Sequence, residues 1–334
     1  MVLNVLLILL LSFVPMLIYA AVLWWLDRFE KEPLGLLVVA FLWGAVPSII
    51  LALIMQIVLD VPLMAIHGSN QLTYELVGAS VVAPLTEEGV KAFALLLLLV
   101  LFHREIDSPI DGLIYGGVVG FGFAAVENVF YLFGALAEGG VGGVLGLAFL
   151  RAGVFGLNHA MYTGFAGLGV ALSLEVRPRL FKLAFILGGF ALAVGTHAAH
   201  NALATFAGVG GLGPLLAAAL LDWLGVAVLL GVAVATFFIE RRRIAAYGEA
   251  LARDQVLPAS DIGLLTSTFE RRRARLTHLF AGDLRRWHAT RQYQQRVTEA
   301  AFTWHRMHRG HANARSRLVR LENEFLQLRR EVMS

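Results

Sequence analysis

The sequence predicts an all-α, polytopic membrane protein with about seven transmembrane helices and a helical cytoplasmic tail. Of its 334 residues, 58% are hydrophobic and only 15% are charged, whereas soluble proteins contain about 25% charged residues. The apolar residues occur in long blocks, and about 20 consecutive ones suffice for a helix that crosses a bilayer. The chain contains no cysteine, which excludes disulfide bonds and thiolate chemistry.

The apolar blocks predict both the membrane spans and their orientation. The first block has no basic residues before it, so we expect a retained span rather than a cleaved signal peptide. Basic residues occur in the first, third and fifth connections and after the last span, which places the N-terminus outside and the C-terminus in the cytoplasm. The predicted spans are 2–25, 34–59, 73–102, 109–136, 145–174, 180–206 and 212–239, and the basic residues are Arg28, Lys31, Arg104, Arg177, Arg179, Lys182 and Arg241–Arg243.

The charge distribution divides the chain into a predicted membrane domain, residues 1–240, and a predicted basic tail, residues 241–334. The first region has 8 Lys/Arg against 15 Asp/Glu, and the tail has 19 Arg against 9 acids. We expect two or three cytoplasmic helices in the tail. Its basic face suits contact with anionic lipid headgroups, and a solvated helical bundle or an oligomer contact fits equally well. No nucleic-acid partner is expected.

The third predicted span contains Glu87, Glu88 and Lys91, charges that a membrane helix does not retain without a use. Each costs on the order of 2.5–3.5 kcal/mol near the bilayer centre, so the default hypothesis is a functional site. A structural ion pair is the alternative. Lys91 follows the two glutamates by four and three residues, so both can share its charge. Because adjacent helical residues point in different directions, we expect the two glutamates to have different roles.

Further polar side chains occur in the next three spans. At about 1.5 Å per residue, the positions place Glu87, Glu88 and His159 near the midplane. Glu127, His197 and Asn201 are expected in the outer half of the membrane. The seventh span adds Asp222, for which we expect a structural role, and Gly112, Gly116 and Gly120 predict close helix packing in the fourth span. The candidates outside the third span are Glu127, Asn128, His159, His197, His200 and Asn201.

This set of residues suits hydrolysis of a peptide bond by an activated water molecule. A carboxylate can act as the general base, and histidine and asparagine can donate hydrogen bonds to a developing oxyanion. No nucleophilic serine or cysteine is needed.

Four motifs in order resemble those of the PrsW-type intramembrane proteases and, more distantly, the CAAX-processing and bacteriocin-processing proteases. The resemblance covers roughly residues 20–240. It implies an endopeptidase of the bacterial inner membrane whose substrate is a membrane-anchored protein, in some members an anti-sigma factor. The motifs are Glu87-Glu88-x-x-Lys91, then Asp111-Gly112-x-x-Tyr115-Gly116 leading to Phe123-x-x-x-Glu127-Asn128, then His159-Ala160, then His197-x-x-x-Asn201.

The resemblance also implies roles for individual residues. Glu87 would be the base that activates water, supported by Glu88 and Lys91. His159 would help to hold the water or the transition state, and His197 would form an oxyanion hole. The remaining positions are Glu127 in the second motif, Asn201 as the partner of His197 in the oxyanion hole, and Asn128 and His200 as supporting residues.

Alternative mechanisms use the same residues. Zinc or another divalent metal could be bound by His159 and His197 together with Glu87 or Glu127. We favour a metal-free site without a cofactor, because the chain has no HExxH motif and the two histidines come from different helices. A proton-coupled transporter would also use buried Glu and His, although we see no repeat symmetry of the kind that transporters show. A sensor or scaffold with a degenerate membrane site is the third alternative.

Overall fold

A computed structural model describes residues 2–67, 71–102, 105–106, 108–308 and 314–333. Within these ranges the chain is helical and contains no strand, which confirms the all-α prediction. The helices are α1 (Val2–Leu26), α2 (Leu34–Trp43), α3 (Ile49–His67), α4 (Gln71–Val77), α5 (Ala83–Leu101), α6 (Pro109–Ala148), α7 (Asn158–Glu175), α8 (Arg179–Gly210), α9 (Leu212–Arg253), α10 (Asp261–Thr266), α11 (Thr268–Phe280), α12 (Leu284–His308) and α13 (Ala314–Met333).

Six of the seven predicted spans fall within helical segments that could cross a membrane, and the protein is a polytopic membrane protein. In the described part of the chain, five helical segments are long and apolar enough to cross a membrane: Val2–Leu26, Leu34–Met64, Pro109–Glu175, Arg179–Gly208 and Leu212–Arg253. The predicted third span is not among the five. Its helix contains Glu87, Glu88 and Lys91 close together. No stretch of it that is long enough to cross a membrane therefore lacks charged residues. The count of seven spans stays a prediction, and Arg104 lies outside the described residues.

The segment Pro109–Glu175 is a helical hairpin rather than one span. Gly140 has a φ of 60°, which interrupts the helix. Beyond it the chain runs antiparallel to the first half of α6, because Gly120 lies against His159 and Gly112 lies against Gly167. A Cβ on Gly112 would lie 2.2 Å from the carbonyl oxygen of Gly167. The predicted glycine stripe therefore lets the backbones of α6 and α7 approach closely.

Among the described residues, three π-helical turns interrupt the membrane helices, at Gly44–Ser48, Gly78–Val82 and Phe149–Val154. Such turns leave backbone groups without a regular helical partner and often occur at functional sites. Side chains from other helices bind two of them: Asn201 donates to the carbonyl of Ala79 at 2.8 Å, and Tyr19 donates to that of Ala152 at 2.8 Å. The membrane helices are thus locally irregular where other helices supply polar partners.

The described residues form two compact units. The first contains 1–26 and 32–233, and the second contains 27–31 and 234–334. The predicted domain boundary between residues 240 and 241 stays a prediction. The second unit has its own apolar core, in which Phe29, Tyr247, Val297 and Phe325 are buried.

In its described residues the tail contains four helices after the end of α9, α10 to α13, where the sequence predicted two or three. The additional helix, α10, has six residues and ends at Thr266, because Ser267 is extended and caps α11. The Ser267 side chain accepts a hydrogen bond from the Glu270 amide at 3.3 Å. A side-chain oxygen at this position satisfies a free amide at the start of a helix, so a new helix begins there.

The contact between α6 and α7 generates a stability prediction. A Cβ on Gly116 would lie 2.4 Å from the carbonyl oxygen of Thr163, a backbone atom that cannot move aside alone. Gly116→Ala should therefore destabilise the protein by about 1–3 kcal/mol through overpacking. Unfolding of purified protein in detergent micelles measures this change. Gly134→Ala is the matched control because its Cβ would meet nothing within 4 Å. Equal stability of the two variants would contradict the predicted close packing.

Candidate active site

The π-helical turn Gly78–Val82 leads into α5, whose first turns carry the charged motif of the third span. Glu87, Glu88 and Lys91 are all buried, and Glu88 and Lys91 are 0% exposed. Burial of a charged group is costly unless it is paired and hydrogen-bonded. The contacts of these three side chains therefore determine what the site can do.

Glu88 is the most completely bonded carboxylate of the site. Lys91 Nζ donates to its Oε1 at 2.7 Å, and Thr163 Oγ1 donates to its Oε2 at 2.9 Å. His197 Nδ1 lies 3.0 Å from the same Oε1. Because both oxygens already accept hydrogen bonds, Glu88 is suited to holding its neighbours in place rather than to taking a proton from a substrate or water.

Glu87 has one oxygen in use and one without a donor. Its Oε1 accepts a hydrogen bond from Gln56 Nε2 at 3.2 Å. Its Oε2 lies 3.6 Å from Lys91 Nζ and 3.9 Å from His197 Nε2. No described residue donates a hydrogen bond to this buried oxygen. A buried acceptor of this kind requires an explanation, and a reactive or ligand-binding role is one.

His159 lies between two charged groups, one at each ring nitrogen. Its Nδ1 lies 3.2 Å from Lys91 Nζ, and its Nε2 lies 2.9 Å from Glu127 Oε2. An ammonium group can only donate, so Nδ1 is the acceptor and Nε2 carries the proton that is donated to Glu127. The Lys91 ammonium also lies 3.7 Å from the centre of the Phe123 ring.

Arg151, in the third π-helical turn, fixes the second-motif residues. Its guanidinium donates to Glu127 Oε2 and, at 2.6 Å, to Asn128 Oδ1. The same group lies 3.9 Å from the centre of the Tyr131 ring. Glu127 is therefore held between a guanidinium and an imidazole. It orients His159 as a carboxylate commonly orients a metal-bound histidine, by accepting a hydrogen bond from the ring.

His197 is held by a carboxylate on one side and an aromatic ring on the other. With Nδ1 directed to Glu88, its Nε2 faces Glu87 Oε2. The ring of Tyr162 stacks on the imidazole with centroids 4.6 Å apart, and Tyr162 donates to Asp222 Oδ1 at 3.2 Å. Tyr162 covers one face of the imidazole, and Nδ1 is directed to Glu88. The atom left to react is therefore Nε2, on the ring edge toward Glu87.

Two of the predicted residues have contacts directed away from Glu87. His200 Nδ1 lies 2.9 Å from Asp222 Oδ2, and its ring packs against Phe155. Asn201 donates to the carbonyl of Ala79. Asp222 thus connects Tyr162 and His200, which agrees with the structural role expected for it. The amide of Asn201 supports the turn that precedes Glu87.

The structure brings the predicted residues other than Asn201 into one connected network, and it adds four that were missed. Asn201 instead bonds the backbone of the turn before α5. Arg151 could have been found by the criterion that found Glu87, because it is a charge within an apolar span. Thr163 follows His159 by four residues and so shares its helix face. Gln56 and Tyr162 give no comparable signal, since one amide or one phenol in an apolar helix is common.

Glu87, His159 and His197 form a group that fits a divalent metal ion. One donor atom from each lies within 4.8 Å of the others, and all three residues are buried. Each histidine has a carboxylate at its other nitrogen, as metal-bound histidines commonly do. The unpartnered Glu87 oxygen is a suitable third ligand. The Lys91 ammonium lies beside two of the three donors, so a metal ion would share this space with a second positive charge.

The family model and the curated relatives that match the chain agree on one family. The model of the family described as "PrsW family intramembrane metalloprotease" matches residues 32–234. Curated relatives named "Protease PrsW" include one from Clostridioides difficile (strain 630), 35% identical over 37% of this chain and 50% of its own length. Another, from Geobacillus kaustophilus (strain HTA426), is 29% identical over 49% of this chain and 68% of its own length.

A third relative, from Bacillus subtilis (strain 168), is 30% identical over 32% of this chain and 45% of its own length. The chain thus spans about half the length of the first and third relatives. No solved structure matches the chain.

The buried ion pair generates a second stability prediction. Lys91→Met should destabilise the protein by about 3–5 kcal/mol, because Glu88 would remain buried without its cation. The double variant Glu88→Gln/Lys91→Met should recover a large part of this loss. Unfolding in detergent micelles measures both, with Lys182→Met, outside the network, as the control. If the double variant is as unstable as Lys91→Met alone, the two charges do not stabilise one another.

Proposed function

The chain belongs to the PrsW family of intramembrane metalloproteases, and from this membership we propose that it hydrolyses a peptide bond in a membrane-anchored protein. Water is the nucleophile, and Glu87 is the residue that activates it. The observation that supports this most directly is the Glu87 Oε2 atom, which is buried and lacks a donor among the described residues. The transporter hypothesis does not account for the family match.

Glu87 is better suited to the role of base than either of the other carboxylates. Both oxygens of Glu88 already accept hydrogen bonds. Glu127 is held by Arg151 and His159. Glu87 instead directs an oxygen that lacks a donor among the described residues at a second acceptor, His197 Nε2, which lies 3.9 Å away. A water molecule placed between two acceptors can donate a hydrogen atom to each.

The proposed reaction transfers protons but needs no redox partner. Glu87 Oε2 takes a proton from the water as its oxygen bonds to the carbonyl carbon of the scissile peptide. The carbon–nitrogen bond then breaks, the nitrogen receives the proton, and a carboxylate and an amine are formed. The positive charge of Lys91 stabilises the negative charge that develops in the transition state.

The other residues around Glu87 have positioning roles in this proposal. Glu88 holds Lys91 and His197, and Glu127 with Arg151 and Asn128 holds His159. Tyr162, Asp222 and His200 fix the far side of the His197 ring. Asn201 stabilises the turn before α5 through one N–H of its side-chain amide, which donates to Ala79. Its predicted role in an oxyanion hole would use the second N–H of the same amide.

A metal-dependent form of the same reaction is the second candidate, and the donor group Glu87, His159 and His197 favours it. The sequence offered two arguments against a metal, the lack of an HExxH motif and the origin of the histidines on different helices. The fold nevertheless brings one donor atom of each histidine and of Glu87 within 4.8 Å of one another. When bound, a divalent metal polarises a carbonyl group and lowers the pKa of water. The protein residues would hold the ion and keep the two imidazoles oriented through Glu88 and Glu127.

The location of the reaction follows from the predicted topology. We propose a protein of the bacterial inner membrane with its N-terminus outside and its C-terminus in the cytoplasm. The site then lies between the midplane and the outer face, so cleavage is expected near the external side of the substrate's membrane span. An anti-sigma factor with a single span is the proposed substrate class.

The activity prediction uses Glu87→Gln and His197→Ala. Both should lower cleavage by about 100-fold or more, since loss of a general base or its partner has effects of this size. The assay is incubation with single-span proteins, including anti-sigma factors, that carry a different tag on each side of the span. Mass spectrometry of the products locates the cleaved bond.

Glu75→Gln is the matched control, because Glu75 is an exposed glutamate in the same run of helix, bonded to Gln71. It should cleave as the unaltered protein does. Cleavage at the unaltered rate by both Glu87→Gln and His197→Ala would refute the assignment. Products cut in the cytoplasmic part of the substrate would contradict the proposed depth.

Metal content distinguishes the two candidate mechanisms. If the donor group binds a metal, protein purified without chelators should contain stoichiometric metal by mass spectrometry, and His159→Ala should lose it. His308→Ala, an exposed histidine of the tail, should retain it. Full cleavage by metal-free protein after chelation would instead support Glu87 acting without a metal.

A further inference from the structure

The tail exposes large apolar side chains on α11 and at the start of α12. Phe280 is 84% exposed, Phe269 is 70% exposed and Leu284 is 59% exposed. Isolated exposed apolar residues are ordinary on a folded protein, but a group of them commonly marks an interaction site. The second unit has a well-formed core of its own, so these side chains are not needed to fill it.

Arginines occupy the same face as the exposed rings. Arg273 follows Phe269 by four residues and Phe280 follows Arg273 by seven, so the three share one side of α11. Arg272 borders them and, like Arg273, is exposed. We call Phe269, Arg272, Arg273, Phe280 and Leu284 the α11 surface.

The region around this surface is strongly basic. Residues 268–291 contain seven arginines and two acids, Glu270 and Asp283. The cations lie close enough to affect one another, because the pKa of Arg275 is lowered first by burial and then by Arg291 and Arg272. Such crowding of like charges is relieved when an anionic surface approaches.

The opposite side of α11 is fixed to the segment 27–31. Arg271 is buried, and its guanidinium donates to the carbonyl of Phe29 at 2.9 Å and to that of Gln294 at 3.2 Å. It also donates to the carbonyl of Leu265 and to Thr298 Oγ1. Burial lowers the pKa of Lys31 to about 8, Asp27 opposes this shift, and Arg28 and Arg275 add to it. Two arginines of α11 therefore lie against this segment.

Segment 27–31 must lie at a membrane surface. It joins Leu26, the last residue of one membrane helix, to the helical segment that begins at Leu34. An extended chain covers about 3.5 Å per residue, so seven connecting residues cannot lead far from the bilayer. Arg271 bonds directly to Phe29, so α11 is held next to this segment.

We propose that the α11 surface binds the anionic lipid headgroups of the bilayer in which the protein itself is embedded. Its arginines contact the lipid phosphates, and the side chains of Phe269, Phe280 and Leu284 enter the boundary between headgroups and acyl chains. A basic helix with exposed aromatic residues is suited to this position in both respects. This inference concerns the tail and does not depend on the proposed protease activity.

The absence of natural cysteines allows a direct test with the full-length chain in lipid nanodiscs. Phe280→Cys is labelled with an environment-sensitive fluorophore. Its emission should shift to shorter wavelength in nanodiscs that contain phosphatidylglycerol, and lipids with brominated acyl chains should quench it. Nanodiscs of phosphatidylcholine alone should give a smaller shift. Val319→Cys, at an exposed position on α13, is the control and should not respond to lipid charge.

Two further substitutions, made together, test the contribution of charge. Adding Arg272→Gln and Arg273→Gln to the labelled protein should lower the ratio of bound to unbound α11 by about 30-fold, and high salt should act in the same direction. Circular dichroism confirms that the helices are retained. An emission wavelength that does not depend on lipid charge would overturn the proposal. So would a shift that grows with protein concentration, because it would assign the surface to a second copy of the chain.

Discussion

A single buried ammonium group, that of Lys91, connects the helices of the membrane site. It bonds to Glu88, lies 3.2 Å from His159 and 3.6 Å from Glu87, and faces the Phe123 ring. Through Glu88 the same network reaches Thr163 and His197, which lie on α7 and α8. A cation in a medium of low dielectric constant interacts strongly with each of these groups. The network therefore fixes the positions of the acceptors on which any chemistry depends.

The network leaves the Oε2 atom of Glu87 without a hydrogen-bond donor among the described residues, and this connects stability with function. Three glutamates, Glu87, Glu88 and Glu127, share two cations, Lys91 and Arg151. With neutral histidines the described group has an excess of negative charge, which suits the uptake of a proton or of a metal ion. A site that was fully satisfied would be more stable but could not take a proton from water.

Close helix packing makes this geometry possible. Gly112, Gly116 and Gly120 bring α6 within backbone contact of α7, so Glu127 reaches His159 and Arg151. The π-helical turns at Gly78–Val82 and Phe149–Val154 lie near Glu87 and His159 in the sequence. Local irregularity in a membrane helix is tolerated where other helices satisfy the backbone, as Asn201 does at Ala79.

The sequence by itself determined the helical class, the membrane helices and the identity of Glu87, Glu88, Lys91, Glu127, His159 and His197 as candidates. It could do so because a charge in an apolar span is costly and therefore informative. It could not show that Glu88 is fully bonded whereas Glu87 is not, nor that the two histidines approach one carboxylate. It also missed Gln56, Tyr162, Thr163 and Arg151. Those facts depend on distances between helices that are far apart in the chain, and only tertiary packing sets such distances.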